Sequence, residues 1–172
     1  SYKYWETLES SLKEDFRFLH VSTDEVFGDL GDDDPPCDEL KNYDPSSPYS
    51  ATKASSDHLV RAWHKTYKLP VLLSNCSNNY GPFQFYEKLI PLMIIKAIRG
   101  EELPVYGSGL QIRDWLFVDD HVDALIRIIQ NGEIGESYNI GANCEKTNLE
   151  VVNEICRILD ETYETKPKDI QS

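Results

Sequence analysis

Residues 47–76 read SPYSATKASSDHLVRAWHKTYKLPVLLSNC. Ser47 can cap a helix, and Pro48 suits the first helical position, where its missing N–H is not needed. The helix this predicts runs to about Tyr67 and stops near Lys68-Leu69-Pro70, since a residue before proline is pushed out of the helical region. Residues 71–76 (VLLSNC) then read as a strand. Upstream, residues 16–22 (FRFLHVS) form a short apolar run rich in aromatic and branched side chains, which predicts another buried strand. Between strand and helix, residues 28–48 are acidic and full of turn formers. A loop of about twenty residues in a compact domain is usually functional or mobile.

The same alternation continues outward. Residues 1–15 read as the end of a helix, and residues 77–82 as an Asn-rich loop. A helix is predicted over 89–99, ending at Gly100. Short strands over 103–106 and 115–118 flank the turn Gly107-Ser108-Gly109. A helix over 119–130 opens with acidic residues, which suits its dipole. A strand over 137–140 and an amphipathic helix over 149–161 follow, and residues 162–172 form a polar end. Alternating strands and helices point to an α/β fold with a mostly parallel sheet.

Composition narrows the function classes. The chain has 172 residues, about one domain by the loose prior of ~150 residues. It is 40% hydrophobic and 27% charged, which disfavours a disordered tail or a fibre. A formal net charge of −13 argues against non-specific nucleic-acid binding, because phosphate repulsion would have to be overcome. No apolar run approaches the ~18–20 residues of a membrane span, and residues 1–13 carry no apolar signal core. Cys37, Cys76, Cys144 and Cys156 are scattered, which suits a reducing, cytoplasmic setting without a metal finger. His20, His58, His64 and His121 show no ligand spacing, and His20 reads as a satisfied core group.

The chemistry centres on Tyr49 and Lys53, which share a helix face at i and i+4. A free tyrosine with pKa ~10 is a weak base at neutral pH. A lysine at ~4 Å could lower it by ~3 units at an effective dielectric of ~20, making Tyr49 a proton acceptor for an alcohol. The preceding strand ends in Ser22-Thr23, and sites in open α/β sheets lie at the carboxyl ends of strands. Thr23 is then expected to hydrogen-bond a substrate oxygen. The next residues, Asp24-Glu25, form a carboxylate pair. In a regular strand they would face opposite ways, so both can reach one substrate only if the backbone turns there.

Strand, Ser-Thr, loop, Tyr-x-x-x-Lys resembles the extended short-chain dehydrogenase/reductase family. Within it, STDEVFG at 22–28 is similar to the dTDP-glucose 4,6-dehydratases, as are SSPYSATKASSDHL at 46–59, NCSNNYGPFQFYEKLIP at 75–91, QIRDW at 111–115 and YNIG at 138–141. The likeness covers residues 17 to 161. It implies the later part of a Rossmann-like doubly wound parallel sheet with part of a smaller substrate-binding region. Residues 1–82 would form the second half of the Rossmann-like domain with the catalytic residues, and 83–172 mainly the nucleotide-sugar-binding region with returning Rossmann elements.

The resemblance also implies a reaction. NAD-mediated oxidation at C4 of the sugar acidifies the C5 hydrogen, Glu25 removes it, Asp24 protonates the departing C6 hydroxyl, and hydride returns to C6. Split pKa values would let one carboxylate act as base and the other as acid. Tyr49, Lys53 and Asn79 would face the cofactor NAD. Asn78, Lys88, Leu89, Tyr106, Arg113 and Asn148, with Thr23, would face a nucleotide-sugar substrate. Lys88 and Arg113 can also be read as surface charges, Arg113 pairing with Asp114. The family pairs subunits through the Tyr49 helix, implying a homodimer in the full-length enzyme, with Leu59 and Trp63 as core or dimer contacts.

The chain departs from the family pattern in lacking the Gly-x-x-Gly-x-x-Gly turn that cradles a dinucleotide, since Gly107-Ser108-Gly109 is not followed by a helix. It therefore reads as a fragment lacking the N-terminal cofactor-binding half and the C-terminal end. Alone it is expected to bind NAD poorly and turn over little. The alternatives are a related NAD-dependent epimerase, decarboxylase or hexose dehydratase acting on nucleotide sugars, or a non-catalytic binding module. Epimerases share Tyr-x-x-x-Lys without the carboxylate pair, so Asp24-Glu25 favours elimination.

Overall fold

Runs of branched apolar residues alternating with capped helical segments give a layered α/β chain. The computed structural model describes residues 1–31 and 35–162. Two short helices, α1 (Tyr2–Thr7) and α2 (Ser10–Asp15), precede strand β1 (Phe18–Thr23), a 3-10 turn (Asp24–Phe27) and the long helix α3 (Pro48–Tyr67). There follow β2 (Val71–Cys76), β3 (Asn78–Tyr80), α4 (Leu89–Ile98), β4 (Ile112–Phe117), α5 (Val118–Asn131), β5 (Ser137–Ile140), β6 (Glu145–Thr147) and α6 (Asn148–Thr162). The chain divides into two units, Ser1–Ser77 with Asp119–Gly141, and Asn78–Val118 with Ala142–Ser172.

In the first unit β1, β2 and β5 form a parallel sheet in the order β1-β2-β5. Central β2 is buried at every residue from Val71 to Asn75, which explains why its sequence does not alternate. Helix α3 packs on β1 and β2. Its start is a capping box: Ser50 N donates to Ser47 Oγ and Ser47 N donates to Ser50 Oγ, both at 3.0 Å. Its end is closed by Lys68 in the left-handed region, whose N–H reaches the His64 carbonyl at 2.9 Å. The loop before α3 is pinned in three places. Asp44 N donates to the Val26 carbonyl at 3.0 Å, Asn139 N to Glu39 Oε1 at 2.8 Å, and Asn139 Nδ2 to the Cys37 carbonyl at 3.1 Å. Under it Val26, Phe27 and Ala54 make a small core against which Cys37 and Tyr43 pack.

In the second unit β3 pairs parallel to β4, and β4 antiparallel to β6. Met93 of α4 is fully buried against Val152 and Ile155 of α6, with Leu103 and Val105 packed alongside.

Three local expectations are corrected, and one strand is added. Residues 103–106 are not a strand: Pro104 offers no N–H for a ladder, and Leu103 and Val105 serve the α4–α6 core instead. The expected loop 77–82 contains β3, whose Asn-Asn-Tyr has weak strand propensity and is ordered by its partner β4. Strand β6 has no apolar pattern and was not foreseen. Residues 1–15 form two short helices because Leu8 and Glu9 are extended. The acidic residues 32–34 and nearly all of the polar end, 163–172, lie outside the described residues.

Candidate active site

The carboxyl end of β1 carries Thr23, which is 8% exposed and paired in register with Cys76 of β2. Its backbone is still extended, but its side chain starts a turn: Glu25 N donates to Thr23 Oγ1 at 3.3 Å. The same hydroxyl donates to Asp24 Oδ1 at 3.3 Å. In a 3-10 turn consecutive side chains are separated by about 120° rather than the 180° of a strand. The backbone thus turns where the two acids sit: Val26 and Phe27 go into the core while Asp24 stays half-buried and Glu25 exposed. Gly28 ends the turn at φ 80° and ψ −172°, a conformation open essentially to glycine alone. A Cβ there would lie 2.3 Å from the Asp44 carbonyl oxygen.

Tyr49 stands in the first turn of α3 with 57% of its surface exposed. Partial burial, then the negative charge of Glu25, then Cys76 and Asp24, push its phenol above the usual tyrosine value. Tyr49 therefore sits within the electrostatic reach of both carboxylates. Lys53 Nζ donates to the Val21 carbonyl at 2.8 Å, and the carboxylates and burial set the direction at Tyr49.

A residue not singled out from sequence lies one turn further along the same stripe. Asp57 is completely buried and accepts four hydrogen bonds. Ser22 Oγ and Tyr43 OH each donate at 2.9 Å, Asn75 Nδ2 at 3.3 Å, and His20 Nε2 lies at 3.0 Å. Burial by itself would raise the Asp57 pKa, but the bonds from His20, Ser22 and Tyr43 outweigh it and hold the carboxyl below the usual range. Tyr43 is pushed up to about 12, by burial first and then by the Asp57 charge. Arg61 completes the cluster, donating to Tyr43 OH at 3.1 Å and Ser137 Oγ at 2.9 Å. His20 is thus a satisfied core group, as its place in an apolar strand suggested. The signal for Asp57 was available: Tyr49, Lys53 and Asp57 recur every four residues.

The remaining candidates fall in the second unit. Asn78 and Asn79 lie on β3, and Gln84 Nε2 donates to the Asn79 carbonyl at 2.8 Å. Lys88 occupies the N-cap of α4 without a side-chain capping bond, and Leu89 is its first helical residue. Tyr106 is 79% exposed. Arg113 is exposed on β4 opposite Lys146. It is not the partner of Asp114, whose carboxylate takes the amides of Ala142 and Cys144 at 2.7 and 2.6 Å. Asn148 N donates to the Gln111 carbonyl at 3.1 Å, and its buried Oδ1 meets no donor among the described residues. The structure thus puts Asn78 and Arg113 on one sheet, with Asn148 at the start of α6 bonded to Gln111 just before β4, while Lys88, Leu89 and Tyr106 lie at the start of α4 and in the connection after it.

A family model described as GDP-mannose 4,6 dehydratase matches residues 5–171. The chain is 59% identical over 168 residues to the dTDP-glucose 4,6-dehydratase of Haemophilus influenzae, covering 98% of this chain and 50% of that protein. A crystal structure of dTDP-glucose 4,6-dehydratase from Bacillus anthracis in complex with NAD superposes with a TM-score of 0.81 at 50% identity, over 90% of this chain and 48% of the other. The dTDP-glucose 4,6-dehydratase from Streptomyces venezuelae with NAD and TYD bound gives a TM-score of 0.81 at 43% identity, over 84% and 44%. The chain spans about half the length of the curated relatives it matches. Among the described residues no helix is long and apolar enough to cross a membrane.

Proposed function

Because the chain belongs to the GDP-mannose 4,6 dehydratase family, we propose that it carries the acid–base residues for dehydration of dTDP-glucose to dTDP-4-keto-6-deoxy-glucose. The observation that carries this reading is the Thr23-capped turn, which sets a half-buried Asp24 and an exposed Glu25 directly after β1, where both charges raise the Tyr49 phenol. Tyr49, whose phenol is raised in the chain alone, would take the proton of the C4 hydroxyl as a phenolate stabilised by Lys53 and by the positive charge a bound NAD would supply, and Thr23 would hydrogen-bond that oxygen. Glu25, the more exposed acid, removes the C5 proton and returns it to C5 when C6 is reduced, and a protonated Asp24 delivers its proton to the hydroxyl leaving C6.

The residues present suit NAD at this corner. Lys53 spends one of its three N–H donors on Val21, leaving two for a ribose hydroxyl, and Tyr49 presents an exposed phenol beside it in the helix. When bound, NAD would supply the hydride acceptor at C4 and the hydride donor at C6. Lys88, the uncapped start of α4, Arg113 and the buried Asn148 oxygen are assigned to the nucleotide diphosphate and base. Subunit pairing is assigned to α3, where Leu59, Trp63 and Tyr67 are exposed.

The test joins the chain to the remaining half of the Haemophilus influenzae relative and assays dTDP-glucose. Formation of the 4-keto-6-deoxy sugar is expected, with Glu25→Gln slowing turnover by about 10²-fold or more. Unchanged turnover in Glu25→Gln would falsify the assignment. Inversion at C4 without loss of water would favour the epimerase reading instead.

A further inference from the structure

We propose that Asp57 is the positioning residue of the acid–base corner: its buried carboxylate fastens the end of β1 to the stripe of α3 that carries Tyr49 and Lys53. This deepens the dehydration reading and rests on it for its consequence in turnover.

Each of the last four residues of β1 makes a side-chain tie besides its ladder bonds. His20 Nε2 lies 3.0 Å from Asp57 Oδ1 and 3.1 Å from Ser56 Oγ. The Val21 carbonyl accepts from Lys53 Nζ at 2.8 Å. Ser22 Oγ donates to Asp57 Oδ2 at 2.9 Å. The Thr23 carbonyl accepts from Asn75 Nδ2 at 3.1 Å, and that same amide reaches Asp57 Oδ2 at 3.3 Å. Asp57 is the common partner of three of these four ties, and Tyr43 brings the long loop to it as a fourth strut. The turn bearing Asp24 and Glu25 begins at the next residue, so its place relative to Tyr49 is set by this cluster.

Stability alone does not explain a fully buried carboxylate. Its desolvation is costly, and apolar side chains of similar volume serve a core as well or better. A satisfied buried network fixes one geometry among several that apolar packing would tolerate. Precise placement matters for the chemistry, since a shift of about 1 Å can lower a rate by about 10²-fold.

Asparagine separates position from charge. In Asp57→Asn one oxygen can still accept from Ser22, Tyr43 and Asn75, while the new NH2 can face the Nε2 lone pair of a neutral His20. Asp57→Ala removes all four bonds to the carboxylate and leaves only Lys53 on the Val21 carbonyl, Asn75 on the Thr23 carbonyl and Ser56 beside His20.

Two measurements test the proposal. In the 172-residue chain, amide hydrogen exchange by NMR at Glu25 and Gly28 should speed up about tenfold or more in Asp57→Ala, with α4 and α6 unchanged, and stay within about threefold in Asp57→Asn. In the chain joined to the remaining half of a relative, Asp57→Ala should lower kcat by about 10²-fold with KM for dTDP-glucose within about twofold, and Asp57→Asn should recover most of kcat. Should Asp57→Ala not fold, Ser22→Ala removes a single tie and is read in the same way, with smaller changes in the same direction. Unchanged exchange at Glu25 in a folded variant overturns the proposal, as does an Asp57→Asn as slow as Asp57→Ala, which would assign the effect to charge. A wild-type protein that makes no keto sugar sinks the dehydration reading, and the exchange measurement still decides the role of Asp57.

Discussion

The Thr23 hydroxyl accepts the Glu25 amide at 3.3 Å, so the side chain that ends the strand also starts the turn that carries the acids. Thr23→Ser keeps that oxygen and Thr23→Val keeps only the shape. Thr23→Val is expected to lower unfolding free energy by about 0.5–2 kcal/mol and to slow turnover, while Thr23→Ser stays near wild type. Urea denaturation of the three proteins checks the first part. A valine variant as stable as the serine variant would show that the cap carries no weight.

Asp57 makes stability depend on acid. Its folded pKa is depressed, so its contribution is fully present above the ordinary aspartate value of ~3.9 and is lost as pH falls below that. The groups facing it are His20 from β1, Tyr43 from the loop and, through Tyr43, Arg61 on α3 itself. Unfolding free energy of the wild type should therefore drop more steeply below pH ~4 than that of Asp57→Asn, by up to ~1.4 kcal/mol per pH unit. Parallel curves from denaturant titrations at pH 3 to 6 would remove Asp57 as the source.

Tyr49 should titrate above ~10 in this chain, because burial and the Glu25 charge both oppose ionisation. With tyrosine labelled at Cζ, NMR can follow the individual phenols. Glu25→Gln is expected to move the Tyr49 midpoint down toward the ordinary value and to leave Tyr43, near 12 for its own local reasons, unmoved. A Tyr49 midpoint below 10 in the chain alone would mean that Lys53 already dominates.

Arg113 and Asp114 are neighbours in sequence with separate partners. Asp114→Ala frees the amides of Ala142 and Cys144 and should cost about 1–3 kcal/mol of stability. Arg113→Ala should leave stability within about 0.5 kcal/mol and weaken binding of dTDP about tenfold, read by calorimetry. Equal losses of stability in the two variants would mean that Arg113 serves the fold.

Much of the first unit was legible because its determinants are local. Ser47-Pro48 placed the start of α3, Lys68-Leu69-Pro70 its end, and the unbroken apolar run of β2 gave a buried parallel strand. Elements held by partners rather than propensity were not legible. Strands β3 and β6 have no periodic pattern and are ordered by β4. Pro104 interrupts a segment whose apolar residues look like a strand but serve as packing.

The order of motifs alone determined the α/β class, the Tyr49–Lys53 spacing and the adjacency of Asp24 and Glu25, since each depends on residues a few positions apart. Only the folded chain decided that the backbone turns at those acids, which way the Tyr49 phenol shifts, and that Asp57 is a buried hub. Burial and the proximity of charge are set by residues up to 37 positions away in the chain, such as His20 against Asp57, and no local pattern encodes a distance of that kind.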